Sequence, residues 1–352
     1  MYNGNSTTPD SLGFAPSCTV VICTRDRPKL LERCIAAALR VDYPRFEVLV
    51  VDNAPTSYET REVARRWGIR RVVEPVPGLS RARNRGARAC STEIVAFIDD
   101  DAIVEPDWLT ALAREFIDPL VMAATGTVIP LKVETEAEKL CACADPSGPH
   151  QRRVVDRRTP QWFELASFGG LGDGMNMAFR RRAFDLWPGF HERLGRGAVV
   201  CGDEEHLAFL SLIGLGYRVA HTPQAVVRHP FPSTMRELRS RELRSFASTM
   251  GYVTLLFVEE PRHRRALVKY VAEALGGKPR VWRGQPQHRP RLVPWWRMLF
   301  ARASGPLLYA WSRVTGKRLV CEEALRVQGG VQGSCPTSED ESAVILRRRG
   351  SL

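Results

Sequence analysis

Two runs of consecutive acids are where this sequence could do chemistry. Asp99-Asp100-Asp101 follows the apolar run Ile94-Val95-Ala96-Phe97-Ile98, and Asp203-Glu204-Glu205 stands before His206 and another apolar stretch. A short apolar run without alternation reads as a strand buried on both faces, as in a parallel sheet. In open α/β sheets, ligands bind in the crevice beyond the carboxyl ends of the strands. Three carboxylates placed there repel one another and call for a compensating cation. Oxygen ligands of this kind suit Mg2+ or Mn2+, which in turn hold phosphate oxygens. The competing reading makes one aspartate a cap for the helix starting near Pro106 and leaves the others solvated.

The elements that must position these acids alternate in type. Residues 18–24 read as a buried strand, followed by the polar loop Arg25-Asp26-Arg27 and by Pro28, which suits the first turn of a helix. That helix carries Leu30, Leu31, Cys34, Ile35, Ala38 and Leu39 at helical spacing. Residues 46–51 are a second strand ending on Asp52-Asn53, and a helix over 58–67 and a short strand near 71–73 complete a βαβαβ run. Residues 78–87 read as a helix with Ser80 as N-cap, leading into the first acidic strand. A helix from Pro106 and a strand over 121–129 follow, then a weakly patterned surface excursion over 132–160, of the kind that serves as a lid or acceptor site. The glycines of 169–174 do not sit between a first strand and its helix, which argues against a dinucleotide fingerprint. The helix opening at Gly202 sends Leu207, Leu210 and Leu215 to the core, and 218–221 and 225–229 close the domain as short strands. This rhythm predicts an α/β fold, a parallel sheet with helices on both faces.

Composition sets outer bounds. A chain of 352 residues can bury a substantial core, and 44% hydrophobic with 26% charged residues is ordinary for a globular protein. The net charge of +12, from 51 Lys+Arg against 39 Asp+Glu, suits nucleic acid, an anionic membrane or phosphorylated substrates. Without zinc-finger spacing or an aromatic-basic RNA motif, no nucleic acid partner is expected. Nine cysteines, an odd number without paired spacing, read as reduced thiols. Neither a secretory start nor a run of roughly 18 apolar residues is present. The expectation is therefore a cytoplasmic protein.

Four stretches in register, 20–28, 48–54, 78–101 and 174–229, resemble the family-2 glycosyltransferases, inverting nucleotide-sugar enzymes of the GT-A fold. Arg81-Ala82-Arg83-Asn84-Arg85-Gly86 leading to Phe97-Ile98-Asp99-Asp100-Asp101 is the most specific of them. The resemblance covers most of residues 18–230 and implies a Rossmann-like mixed sheet flanked by helices. It implies that Asp99 and Asp101 form the family's Asp-x-Asp pair, holding Mg2+ or Mn2+ on the donor diphosphate. It further implies that Asp52 contacts the nucleotide base or ribose, and that Thr24, Arg25 and Arg81 bind the donor. Asp100 and Asn84 join the donor set, Asn84 because asparagine is a poor mid-helix residue. Arg83, Arg85 and Arg88 read as a solvated basic face. The family's catalytic base lies in an acidic pair, here Asp203-Glu204 in reversed order. Glu204 is favoured, with Asp203 as the alternative. His229 is either a third metal ligand or a structural histidine. Trp162, Asp173, Asn176 and Trp187 are acceptor candidates, because sugars stack on aromatic faces and bond to amides and acids. Trp187 is equally a core residue. Cys141, Cys143 and His150 are too few for a zinc site.

The organisation expected is a flexible lead over 1–16, a GT-A catalytic domain over 17–232, a helical basic-aromatic extension over 233–319 and a disordered tail over 320–352. Within the extension, 233–270 reads as helical and 262–294 as irregular. Trp295, Trp296, Phe300 and Trp311, interleaved with Arg302, Arg313, Lys317 and Arg318, fit either a membrane-interface element or a helix packed on the catalytic domain. The packed reading weighs more. The function expected is metal-dependent, inverting transfer of a hexosyl or deoxyhexosyl group from a UDP-, dTDP- or GDP-sugar to a hydroxyl of a glycan, lipid-linked glycan or natural product. The location expected is the cytoplasm, with peripheral association at the inner face of the membrane as the alternative. Two rivals are a nucleotidyltransferase, which would not require Asp203-Glu204, and a non-catalytic nucleotide-sugar-binding module, which the intact acids argue against.

Overall fold

The computed structural model describes residues 15–144, 151–275 and 292–328. Its first half runs β1 (Cys18–Thr24), α1 (Pro28–Ala38), β2 (Phe46–Asn53), α2 (Glu59–Arg66), β3 (Arg70–Glu74), α3 (Leu79–Ala89), β4 (Ile94–Asp99), β5 (Ile103–Val104), α4 (Trp108–Glu115) and β6 (Val121–Pro130). Then come α5 (Glu136–Ala144), β7 (Arg153–Val155), α6 (Trp162–Ser167), β8 (Asn176–Arg180), α7 (Ala183–Leu186), α8 (Glu204–Gly214) and β9 (Arg218–His229). Three long helices close the chain: α9 (Met235–Glu259), α10 (Arg264–Leu275) and α11 (Trp295–Gln328).

The strands among the described residues form one sheet in the order β3-β2-β1-β4-β8-β6-β9-β5, with β7 also paired to β9. From β3 to β4 all pairings are parallel, as alternating strands and helices predict. Beyond β4 the sheet turns mixed, because β8 runs antiparallel to both β4 and β6. The chain leaves from β3 on one side and resumes at β4 on the other side of β1. That reversal opens a crevice at the carboxyl ends of β1 and β4, where α/β sheets take their ligands.

Alternating side chains explain why these strands are continuously apolar. Val20, Ile22, Val50, Ala96 and Ile98 face one core with Leu31, Ile35, Trp108 and Leu112 of α1 and α4. Val21, Cys23, Val51, Val95 and Phe97 face the other core with α3, α8 and the carboxyl-terminal helices. Both faces are covered, so neither set of positions can be polar. Helix α3 rides very close to the sheet: a Cβ at Gly86 would lie 2.6 Å from Val21 Cγ1 and 3.1 Å from Val51 Cγ2. The carboxyl-terminal helices share this second core through Tyr252, Leu255, Leu267 and Tyr309. Helix α9 begins with a capping box in which Thr234 Oγ1 accepts from the Glu237 amide and Glu237 accepts from the Thr234 amide. Gly305 of α11 then lets that helix lie directly on Met250 and Gly251 of α9.

Several local expectations are corrected. Residues 218–229 form one strand with a register shift at Gly126/Thr127 of its partner, not two. Gly78, not Ser80, is the N-cap of α3, and Ser80 Oγ instead donates to the Leu194 carbonyl. Leu215 is exposed rather than core, because the chain turns away there to reach β9. The supposed irregular stretches at 132–160 and 262–294 contain α5, β7 and α10. Helix α11 continues past residue 320 to Gln328, while the rest of the tail, residues 1–14 of the lead and His150 lie outside the described residues. Among the described residues no helix is long and apolar enough to cross a membrane.

Candidate active site

Strand register brings the ends of three strands to one edge. Thr24 stands opposite Asp52, and Cys23 opposite Asp99. In front of them lies a cleft of about 210 Å³ lined by Cys23, Thr24, Arg25, Arg27, Asn53, Asp99 and Asp100, with Gly78, Leu79 and Ala82 of the α3 start and Arg196-Gly197 packed against that start. The three aspartates then diverge, as residues of opposite parity at a strand end must. Asp100 accepts from Thr24 Oγ1 at 2.6 Å and from Arg27 Nη1 at 2.6 Å. Asp99 and Asp101 turn toward His229 at the end of β9, with one ligand atom from each residue within 4.8 Å of the others. His229 Nε2 lies 3.0 Å from Asp101 Oδ1, yet these atoms are not aligned for a hydrogen bond, and both are buried without a hydrogen-bond partner. Two carboxylates and an imidazole converging with unused acceptor atoms fit a divalent cation well.

The second acidic run begins α8 and is linked to the first through Arg83. Asp203 adopts a left-handed backbone conformation, φ +65°, and both its oxygens are engaged: one by His206 Nδ1 and one by Ser248 Oγ, each at 3.2 Å. Glu205 accepts from the Gly174 amide at 3.1 Å. Glu204 points differently. Its Oε1 is bonded to Arg83 Nη1, and its Oε2 is buried with no partner. Arg83 is 2% exposed. Its other nitrogen, Nη2, donates to the Gly174 carbonyl at 2.7 Å and faces Asp99 Oδ1 at 3.5 Å. One buried guanidinium therefore joins the two acidic runs.

The electrostatics follow from this packing. Burial lifts the Asp100 carboxyl to about 6, against the pull of Thr24 and Arg27. Burial would raise Asp101 as well, but the His229 and Arg27 contacts outweigh it and hold the group below the usual carboxylate range. Burial opposes the charge of Arg83, and the carboxylates of Glu204 and Asp99 more than restore it. Glu205 is pushed up to about 7 by burial and by the charge of Glu204 beside it. His206 is raised to about 9: burial acts against its charge, and Glu205 and Asp203 prevail.

The sequence-derived residues divide into groups. Thr24, Arg25, Asp99 and Asp100 line the cleft, and Asp101, His229 and Glu204 adjoin it. Asp52 lies one residue behind the lining, salt-bridged to Arg71 at 2.8 Å, with its Oδ1 buried and unpaired. Arg81 pairs with Glu192 at 2.9 Å. Asn84, expected on the donor, instead holds the Phe190 backbone, accepting from its amide and donating to its carbonyl. Asn176 is fully buried, where it accepts from Trp108 Nε1 and donates to the carbonyls of Thr127 and Ala225. Trp187 belongs to an aromatic core with Phe179, Phe184 and Phe190. Trp162 packs on Phe163 and His263, and Asp173 stays half-buried next to the clamped Gly174. Arg83 is corrected from solvated face to buried bridge, whereas Arg85 and Arg88 are exposed. Arg27 and Arg196 are cleft residues that sequence reasoning missed. The signal for Arg83 was present: with Ser80, Asn84 and Ala87 it shares the i, i+3, i+4, i+7 stripe of a buried face.

Known proteins share this architecture. The chain is 28% identical over 234 residues to the O-antigen biosynthesis protein RfbC of Myxococcus xanthus, covering 61% of this chain and 17% of that protein. It is 28% identical over 278 residues to the glucosyl-dolichyl phosphate glucuronosyltransferase of Haloferax volcanii, covering 71% of this chain and 82% of that one. The chain thus spans most of one relative and a small part of the other. The crystal structure of S. aureus TarS superposes with a TM-score of 0.51 at 15% identity, covering 83% of this chain and 54% of that one, a likeness of fold. The model of Glycosyl transferase family 2 matches residues 19–187, from β1 through the parallel strands and Asp99-Asp101 to Trp187. With that match laid over the sheet and its cleft, residues 19–187 carry the pattern of glycosyl transferase family 2.

Proposed function

We propose that this enzyme moves a sugar from a nucleotide-diphosphate donor to a hydroxyl of a glycan acceptor, with inversion and with a divalent cation, Mg2+ or Mn2+, at Asp99, Asp101 and His229. The observation that carries the reading is the convergence of these three residues at the cleft, with Glu204 joined to Asp99 through Arg83. A cation bound there would offset the charge gathering on the leaving diphosphate. Thr24 and Arg25 at the end of β1, and Arg196 beside the start of α3, line the path for the donor. The unpaired Oδ1 of Asp52 supplies an acceptor for a base N–H or a ribose hydroxyl. Glu204 is the general base, since its Oε2 alone in the Asp203-Glu204 pair is free of a partner. As the acceptor oxygen attacks the anomeric carbon, its proton passes to Glu204 while the bond from that carbon to the diphosphate breaks on the opposite side. A single displacement inverts the anomeric centre. Arg83 holds Glu204 in place. The acceptor is a glycan, a reading supported by relatives named for O-antigen biosynthesis and for glucuronosyl transfer to glucosyl-dolichyl phosphate.

A panel of UDP-, dTDP- and GDP-sugars with Mg2+ or Mn2+, scored by thermal stabilisation and nucleotide release, tests the reading. One donor is expected to stabilise the protein only when a cation is present. Asp101→Ala should abolish the cation-dependent shift while the unliganded melting curve stays cooperative. A wild-type protein that ignores every donor, with or without cation, refutes the proposal.

A further inference from the structure

Helix α11 has two apolar faces, and only one of them is packed against other described residues. Gly305, Tyr309 and Ser312 are buried toward α9. Half a turn away, Trp296, Phe300, Leu307 and Trp311 are 48%, 72%, 72% and 57% exposed. Positions 296, 300, 307, 311 and 314 recur at the spacing of a single helical stripe. A stripe of large apolar side chains left in water marks an interaction surface. We propose that this outer face of α11 docks on the surface of an anionic lipid bilayer, lying in the interface without crossing it.

Charge identifies the partner. Residues 1–232 hold 29 Lys+Arg and 29 Asp+Glu, whereas residues 233–319 hold 18 against 5. The whole positive surplus of the chain therefore resides in the helical extension. From Trp295 to Thr315 there is no acidic residue, and the exposed Arg297, Arg302 and Arg313 flank the apolar stripe. Tryptophan beside arginine on one helix is the composition of an element seated at headgroup level, its rings in the acyl boundary and its cations on lipid phosphates. A second copy of this chain would set the same arginines against one another. No helix among the described residues can span the bilayer, so attachment is peripheral.

The surface is also wired to the cleft. Tyr309 of α11 donates to Glu259 Oε1 at 2.7 Å, and Glu259 in turn accepts from Arg193 at 2.5 Å. Arg193 precedes Leu194, whose carbonyl receives Ser80 Oγ, and Arg196-Gly197, which line the cleft. A protein seated on lipid through α11 would hold this wall of the site at a fixed height above the membrane.

The test is co-sedimentation of the full chain with phosphatidylglycerol vesicles and with phosphatidylcholine vesicles, joined to tryptophan emission. Sedimentation with phosphatidylglycerol alone, with emission shifted to the blue, is expected. The double variant Phe300→Ser/Leu307→Ser, at solvent-exposed positions and checked for folding by circular dichroism, should lose binding by about tenfold or more. Arg302→Glu/Arg313→Glu should weaken it and reduce its salt dependence. Failure to bind phosphatidylglycerol, or binding that the serine variant leaves intact, overturns the proposal. So does a wild-type dimer in light scattering that the serine variant dissolves, which would make the face a contact between copies. Because vesicle binding is read without donor or cation, it stands or falls separately from the transfer reaction.

Discussion

The two acidic runs, Asp99-Asp100-Asp101 and Asp203-Glu204-Glu205, each carry three consecutive carboxylates and differ in nearly everything else. The first leaves a strand, so neighbouring carboxylates point apart: two go to His229, and Asp100 goes to Thr24 and Arg27. The second enters a helix, whose amino-terminal turn favours negative charge, and its three members fan around the axis. There Asp203 is tied to His206 and Ser248, Glu205 to Gly174, and Glu204 to Arg83. Each run engages part of its charge in holding the loop: Asp100 in the first, Asp203 and Glu205 in the second. What a carboxylate does here is decided by the backbone that carries it, and Arg83 is the contact through which the two runs sense one another.

The contrast can be broken most forcefully at Glu204. Glu204→Gln should lower kcat by about 10²–10⁴-fold while donor-induced thermal stabilisation persists, since the amide keeps the shape but takes no proton. Loss of donor binding in the same variant would move Glu204 to the donor side. Arg83→Met should remove activity and also cost about 3–5 kcal/mol in denaturant unfolding, because buried Glu204 loses its only partner. An unchanged midpoint would show that water or backbone satisfies that carboxylate. Asp203→Asn is expected to be milder, with kcat within about tenfold of wild type and roughly 1 kcal/mol lost from the bonds to Ser248 and His206. If Asp203→Asn is the dead variant instead, the base belongs at 203 and the two runs exchange roles.

Glu205 offers the smallest and finest test, through pH. Its folded value of about 7 lies above the ordinary 4.5, so the folded protein holds the proton more tightly than the unfolded chain. Stability from this group is complete below 4.5 and is lost as pH rises to about 7. His206, raised from 6.5 to about 9, adds a loss of the same sign at higher pH. Melting temperatures of Glu205→Gln measured from pH 4.5 to 7 should therefore fall less steeply than those of wild type. Parallel curves would mean that Glu205 is ionised throughout.

Much of this was legible before any coordinates. The strands were readable because burial on both faces forces unbroken apolar runs, and Asp99, Asp101 and His229 were readable because each ends such a run. What escaped lay where one residue type serves two purposes. Arg83 sits among Arg81, Arg85 and Arg88, and a row of arginines looks solvated unless helical phase is applied to polar residues as strictly as to apolar ones. Asn84 and Asn176 looked like ligand-binding amides, yet each satisfies backbone groups at a break in regular structure. Asn84 serves the loop at Phe190, and Asn176 the irregularity where β6 shifts register on β9. Such breaks are set by distant pairings that local sequence does not announce. The mixed half of the sheet was legible through the family resemblance and not through local pattern, since β8 owes its direction to β4 and β6 rather than to its own five residues.

The bare hydrogen of Gly86 has a consequence out of proportion to its size. Arg83 lies one turn earlier on the same helix, so the distance from that helix to the sheet sets how far the guanidinium can reach. One added methyl would press on the stiff branched side chains of Val21 and Val51, and the helix would have to lift like a lever on a fulcrum. The lost reach would register first as a widened gap between the two carboxylate groups, in a variant with every site residue still in place. Gly86 thus works as a spacer that calibrates the active site from underneath.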